Sequence, residues 1–273
     1  MDRAAFYAVL RSRANTLFGT SLTRPQVTTL DLILDEGERR GLPLAHLAYV
    51  LATPYHEVGA ALRPLVENLN YTSAARIRAV WPSRFRTDAA AAPYVRNPQA
   101  LANLVYGGRL GNKSPNDGWT YRGRSLAQIT GRENYARFSR LLGVDLVGNP
   151  ELALEPAIAV AILFEGMVKG LFSGKKLADY QAGVGFDYRA ARAIINADVK
   201  ANGDRIAGYA RAFEAALRTA GYGATPPLIA ASPVEAPVAP PASPQPPTET
   251  PKQATGWLAA FGNFITLIFS RRT

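Results

Sequence analysis

The chain has 273 residues, 48% of them hydrophobic, enough for one good-sized domain with its own core and an appendage. It has no cysteine, which excludes a disulfide framework and thiol chemistry, and only two histidines, so a closed zinc site would have to rely on carboxylates. A net charge of +10, from 31 Lys and Arg against 21 Asp and Glu, suits polyanionic partners; nucleic acid is discounted, because the basic residues form no dense run and no aromatic stacking motif accompanies them.

Phe6, Leu10 and Ala14 share one side of a short helical candidate over residues 2–14. Pro25 opens a second helix, with Val27, Leu30 and Leu34 inward and Gly41 as its stop. Pro43 begins the central one, in which Leu44, Leu47, Ala48, Leu51 and Tyr55 recur at helical spacing and Glu57 falls in the last turn. Pro54 lies inside it and removes one backbone hydrogen bond, so a bend is expected just before Glu57. Ser73 can cap a short helix that runs through Ile77 and Val80 to Trp81-Pro82, and Asn97-Pro98 starts another that Gly107-Gly108 ends.

Gly111 to Gly118 reads as a loop on the rim of a groove, followed by Trp119 and Tyr121, which either stack on a ligand or pack inward. Thr130-Gly131-Arg132-Glu133 has the form of a capping box for a helix over 131–142, with Tyr135, Phe138, Leu141 and Leu142 inward and Gly143 as its stop. A mostly apolar helical stretch from Ala157 to Val168 carries Glu165 as its exception. The last helix of this region has Ile206, Tyr209, Ala210, Phe213 and Leu217 on one stripe and ends at Gly221.

Glu57 is out of place chemically. Helix C-termini favour cations, and a carboxyl beside an apolar stripe loses hydration and keeps its proton, as a general acid must. The second acid, Glu67, lies ten positions on. One continuous helix would put their α-carbons roughly 15 Å apart, too far for glycosidic chemistry. Gly59 and Pro64 argue that the helix stops, and a chain that turns back could bring the carboxyls into the ~6.5–9.5 Å window of an inverting glycosidase. The bland alternative is two solvated surface glutamates. A helical zinc motif is excluded, since position 60 is Ala where His-Glu-x-x-His needs a second histidine.

His56-Glu57-Val58-Gly59, then Glu67-Asn68-Leu69-Asn70-Tyr71, then Tyr121-Arg122-Gly123-Arg124 through Gln128-Ile129-Thr130-Gly131 to Asn134-Tyr135 resembles family 19 glycoside hydrolases, and within them the chitinase-like lysins of phages and prophages. With Asn196 and Arg205, the resemblance covers most of residues 1–222. It implies an all-α, lysozyme-like domain of two lobes with a cleft between them, over residues 1–223. It implies hydrolysis of β-1,4 links in an N-acetylglucosamine polymer, peptidoglycan or chitin, with Glu57 as acid and Glu67 as base. In that reading Gln128 offers its amide to a substrate acetamido group or hydroxyl, Thr130 helps hold the attacking water unless its hydroxyl serves the cap, and Tyr121, Asn134 and Asn196 line the site. Arg205 is the charge placed near the carboxylates. No metal or organic cofactor is expected, the partner is the polysaccharide, and the chain is expected to be a monomer.

Three departures from the family pattern bear on the site: Ala60 and Ser125 stand where the family prefers Gly, and Asn196-Ala197-Asp198 replaces Asn-Gly-Gly. Gly is used where the backbone needs positive φ or close approach, so a reshaped loop is expected at 197–198, with Asp198 tolerating the left-handed region. Ser125, Ala197 and Asp198 motivate an alternative, a membrane-tethered glycan-binding protein without turnover.

After Gly223 the composition changes. Residues 224–252 hold 10 of the 20 prolines, so 224–254 reads as an extended linker. In the tail, 255–273, Thr255 to Ser270 is an uncharged stretch of 16 residues followed by Arg271-Arg272. As a helix it would span roughly 24 Å against a hydrocarbon core of ~30 Å, so it crosses a bilayer, lies on it through Trp257, Phe261, Phe264, Ile265 and Ile268, or docks a partner. No apolar run of signal-peptide length stands at the N-terminus, so the expected location is the cytoplasm or the membrane before release to the wall.

Overall fold

The structure is a computed structural model and describes residues 1–15, 17–183 and 185–223. The expected linker and hydrophobic tail lie outside the described residues. Among the described residues the protein is all-α but for one two-residue-per-strand hairpin. Ten α-helices run in chain order: α1 (Arg3–Leu10), α2 (Arg24–Arg39), α3 (Leu44–Glu57), α4 (Ala74–Val80), α5 (Asp88–Ala91), α6 (Pro98–Tyr106), α7 (Asp117–Thr120), α8 (Arg132–Leu142), α9 (Pro156–Lys169) and α10 (Val199–Thr219). The antiparallel strands β1 (Gln181–Ala182) and β2 (Gly185–Phe186) pair Gln181 with Phe186. None of these helices is long and apolar enough to cross a membrane.

Helix α3 is the axis of the molecule. Every residue from His46 to Pro54 is buried, because α10 lies along it and α2, α9 and β2 cover its other sides. A helix buried all round has no solvent face on which to place a polar residue, so its one carboxylate, Glu57, is delivered into the interior at its C-terminal end. Helix α3 runs on past Pro54, which accepts the Val58 amide at 2.9 Å.

Three apolar cores follow. The largest joins α1, α2, α3, α9 and α10, with Leu126 and Ala127 reaching in from the loop before α8. A second, separate core of Leu69, Ile77, Phe85, Leu101 and Tyr106 belongs to α4, α5 and α6, with α7 packed on α6, and forms a lobe of its own. The third gathers Tyr121, Ile129, Tyr135 and Phe138 with Leu146 and Ile162 under α8. Near the end of the described chain, Tyr222 donates to the carbonyl of Leu42 at 2.7 Å, tying it back to the start of α3.

Several local expectations hold. Ser73 caps α4 by accepting the Arg76 amide, Asn97 caps α6, and Gly143 stops α8 at φ 67°. The first helix is shorter than residues 2–14, ending at Leu10. The expected capping box at Thr130 does not form. Helix α8 starts from Gly131 at φ 89°, the Glu133 amide donates to Leu110 at 3.0 Å, and the Thr130 hydroxyl meets only the Gln128 carbonyl, at 3.4 Å. The neighbouring Leu110 carbonyl satisfies the helix end in place of the side chain, so the box has nothing left to cap.

Candidate active site

The connection from Glu57 to Glu67 leaves the helix through a turn, with the Leu62 amide donating to the Gly59 carbonyl at 3.0 Å. Gly59 takes φ 76°, a conformation that glycine adopts without steric cost, and Leu62 follows at φ 49°. Side chains from elsewhere then pin the returning segment. Gln26 of α2 donates to the Ala60 carbonyl at 2.8 Å, and Gln128 donates to the Leu65 carbonyl at 3.1 Å. The Leu65 and Glu67 amides donate to the carbonyls of Ser125 and Gly123, at 3.5 and 2.8 Å, so residues 65–67 run antiparallel to 123–125. Glycine at 123 suits this approach, since a β-carbon there would stand 2.7 Å from the Gln128 Oε1 and 3.2 Å from the Glu67 Cβ, and both side chains would have to shift.

Glu67 is 7% exposed and sits between two donors. The Tyr106 hydroxyl donates to Oε1 at 2.7 Å and the Gly123 amide to Oε2 at 3.3 Å. Burial pushes the carboxyl up to about 7, against these two hydrogen bonds and the nearby Arg122 charge, which favour the ionised form. Arg122 is itself held in place, stacked 3.7 Å over the Trp119 ring and donating to the Trp119 carbonyl at 2.7 Å.

Glu57 is fully buried, and here the tertiary structure corrects the sequence. The carboxyl expected beside an apolar stripe has a buried cation against it, for Arg192 donates to its Oε1. Arg192 is 1% exposed and also grips Asp198, Nε to Oδ1 at 2.5 Å and Nη2 to Oδ2 at 3.2 Å, while Asn202 donates to Asp198 Oδ2 at 2.7 Å. Burial alone would lower the guanidinium, but the two carboxylates outweigh it and hold it above its usual range. The Oε2 of Glu57 has no hydrogen-bond partner.

Arg205, expected near the carboxylates, is exposed in α10, and the ion pair with Glu57 is made by Arg192 instead. Arg205 still lies close enough to act on the His56 ring, whose pKa is lowered chiefly by burial. Asp198 does not use the left-handed region it could tolerate; it lies at φ −84°, and its side chain is committed to Arg192. Tyr121 packs rather than stacks: it is 6% exposed, its ring lies 5.3 Å from that of Tyr135, and its hydroxyl donates to Val147. The amide nitrogen of Gln128 is spent on the carbonyls of Leu65 and Ser125, so it braces the site instead of offering a donor to substrate. Asn134 donates to the Thr130 carbonyl at 2.8 Å, and Asn196 is buried with its backbone amide on the Arg192 carbonyl.

Arg192, Asp198 and Tyr106 are the site residues that sequence reasoning missed. Arg192 had a signal, as a lone charge among Ala190, Ala191, Ala193, Ile194 and Ile195. A cation inside so apolar a run needs a buried counter-ion. Tyr106 had none, since an aromatic residue at the end of an apolar helix is ordinary core.

Ser125 adopts φ 87°, a region where glycine is preferred, and its hydroxyl is buried without a partner. The side chain is wholly inside the protein, so it strains the turn without narrowing any opening.

No known protein-family profile matches the chain. It is 41% identical over 118 residues to a protein of Haemophilus influenzae described as glycosyl hydrolase family 19 domain-containing. The matched stretch takes in 41% of this chain and 58% of that relative, so the chain spans little more than half of the relative's length. The likeness agrees with the motif blocks read from the sequence: over this stretch the chain is similar to a family 19 glycoside hydrolase domain.

Proposed function

We propose that the protein is an inverting glycoside hydrolase that cuts β-1,4 links in an N-acetylglucosamine-containing cell-wall polymer, peptidoglycan ahead of chitin. The observation that carries this is the ten-residue connection with a buried carboxyl at each end, Glu57 on a guanidinium and Glu67 between two donors. Surface glutamates of no function would have neither burial nor dedicated partners.

The chemistry follows from charge balance. Glu57, Arg192 and Asp198 bring two carboxyls to one cation in a buried place. Asp198 has the two-pronged contact and the Asn202 donor, which leaves Oε2 of Glu57 as the oxygen of the group without a hydrogen-bond partner. In this reading Glu57 is the acid that protonates the leaving glycosidic oxygen. Glu67, with its carboxyl near 7, takes a proton from water on the opposite face of the sugar, and a base poised near neutral is the most effective one at neutral pH. Glu57 is fully covered, so this role requires the site to open around it as substrate enters.

That cover also favours a second reading, a glycan-binding protein without turnover. A zymogram on purified sacculi and on chitin separates the two. Hydrolysis releases reducing ends that the Glu57→Gln variant fails to release, and the first product seen by proton NMR is the α-anomer. Full activity in Glu57→Gln would remove it from the mechanism, and binding with no new reducing ends from either polymer would establish the second reading.

A further inference from the structure

Directly after Glu67 the chain walls an open pocket of about 210 Å³, lined by Asn68, Asn70, Tyr71, Thr72 and Arg76. Its frame is rigid. Asn68 folds back to accept the Asn70 amide at 2.9 Å, the Tyr71 carbonyl takes the Arg96 amide at 2.8 Å, and the Tyr71 ring packs edge-on against Trp81 with centroids 5.5 Å apart. Arg76 stands half-exposed in the first turn of α4. The pocket adjoins the catalytic carboxyl: the Tyr71 phenol is raised by its burial and by the charge of Glu67, and lowered by the charge of Arg76, so all three lie within electrostatic reach.

The lobe that carries the pocket is strongly basic. Residues 68–122 hold eight Lys and Arg against two Asp, more than half of the chain's +10. Neither acid is open to a ligand's counter-charge: Asp88 pairs with Arg78 at 2.7 Å, and Asp117 accepts the amides of Lys113 and Ser114 at 2.8 and 3.0 Å. Arg84 lies close enough to Arg109 that its charge, added to burial, lowers the latter. Such a surplus of one sign on a lobe attracts anions.

We propose that this pocket recognises a carboxylate of a peptide attached to the glycan beside the bond that is cut, with Arg76 as the anion-binding residue and the Asn68, Asn70 and Thr72 side chains as hydrogen-bonding partners. A guanidinium presents a fork of donors that fits a carboxylate and gains little from a neutral hydroxyl. The polymer selected is then an acidic one, such as peptidoglycan with its peptide carboxylates, rather than neutral chitin. This deepens the hydrolase reading and rests on it for the identity of the site.

The test is titration calorimetry on the full chain, with the monomeric disaccharide-peptide of peptidoglycan and the same compound with its carboxylates amidated. The wild type binds the acidic form about tenfold more tightly, as one charge-assisted pair supplies. Arg76→Gln brings that ratio below threefold, while Arg86→Gln, an exposed change on the same lobe away from the pocket, keeps it. A wild-type ratio below threefold, no binding of either form, a ratio kept in Arg76→Gln, or a ratio lost equally in Arg86→Gln each overturns the proposal. Failure of the hydrolase reading shows separately, as no reducing ends from either polymer, and leaves the ratio to decide the pocket.

Discussion

Arg192 and Glu57, 135 residues apart in the chain, meet as a buried ion pair that is 1% and 0% exposed. Their contact joins the short 3-10 helix Ala190–Ile194, which precedes α10, to the last turn of α3, and α3 and α10 are the two helices with the most extensive mutual packing. The guanidinium thereby serves two carboxylates, and its removal leaves both buried without a cation. Arg192→Met therefore loses about 3–5 kcal/mol of stability. Urea denaturation at neutral pH checks this as a lower midpoint with an unchanged slope; a loss under 1 kcal/mol would show that water replaces the cation.

Glu67 links stability to pH. Its carboxyl is raised from 4.5 to about 7 by burial, so between those values the folded protein holds a proton that the unfolded chain has released. The stability tied to this group is full below about pH 4.5, falls as pH rises toward 7, and is level above. Glu67→Gln removes that fall, a difference on the order of 3 kcal/mol between the two limits. Parallel denaturation curves for the two proteins at acidic and mildly alkaline pH measure it, and parallel pH profiles would sink the idea.

The same group sets the activity profile expected of the proposed base. kcat/KM rises with pH along a limb whose midpoint is near 7, the value to which burial pushes Glu67. Tyr106→Phe removes the hydroxyl that stabilises the ionised form, and the limb moves alkaline by about one pH unit. An acid shift, or none, contradicts the assignment of Glu67 as the base.

Ser125 strains its turn without any visible return. At φ 87° with an unpartnered buried hydroxyl it combines a backbone conformation unfavourable to any side chain with a desolvation cost. Ser125→Gly raises stability by about 1 kcal/mol, after the entropy glycine adds to the unfolded chain. Scanning calorimetry reads this as a higher Tm, and a lower one would mean that the hydroxyl has a role in the turn.

Read from the residues alone, the helices were largely legible because their signals are local: the apolar spacing of α3, the serine and asparagine caps of α4 and α6, and the glycine after α8 each act within a few residues. The cap at Thr130 failed for the opposite reason, since the Leu110 carbonyl, brought in from another segment, met the helix end first. Gln128 shows the same limit, because a side chain that looks free in sequence is committed to Leu65 once the segments lie side by side.

The sequence by itself determined that two acids flank a turn at Gly59 and that the chain is mostly helical. Only the tertiary structure decided which groups answer them, Arg192, shared with Asp198, for Glu57, and the Tyr106 hydroxyl and Gly123 amide for Glu67. The reason is physical: helix periodicity and turn chemistry are properties of neighbouring residues. A buried carboxyl's partner is chosen by whichever donor the closing of distant segments brings within reach, and no local pattern records that choice.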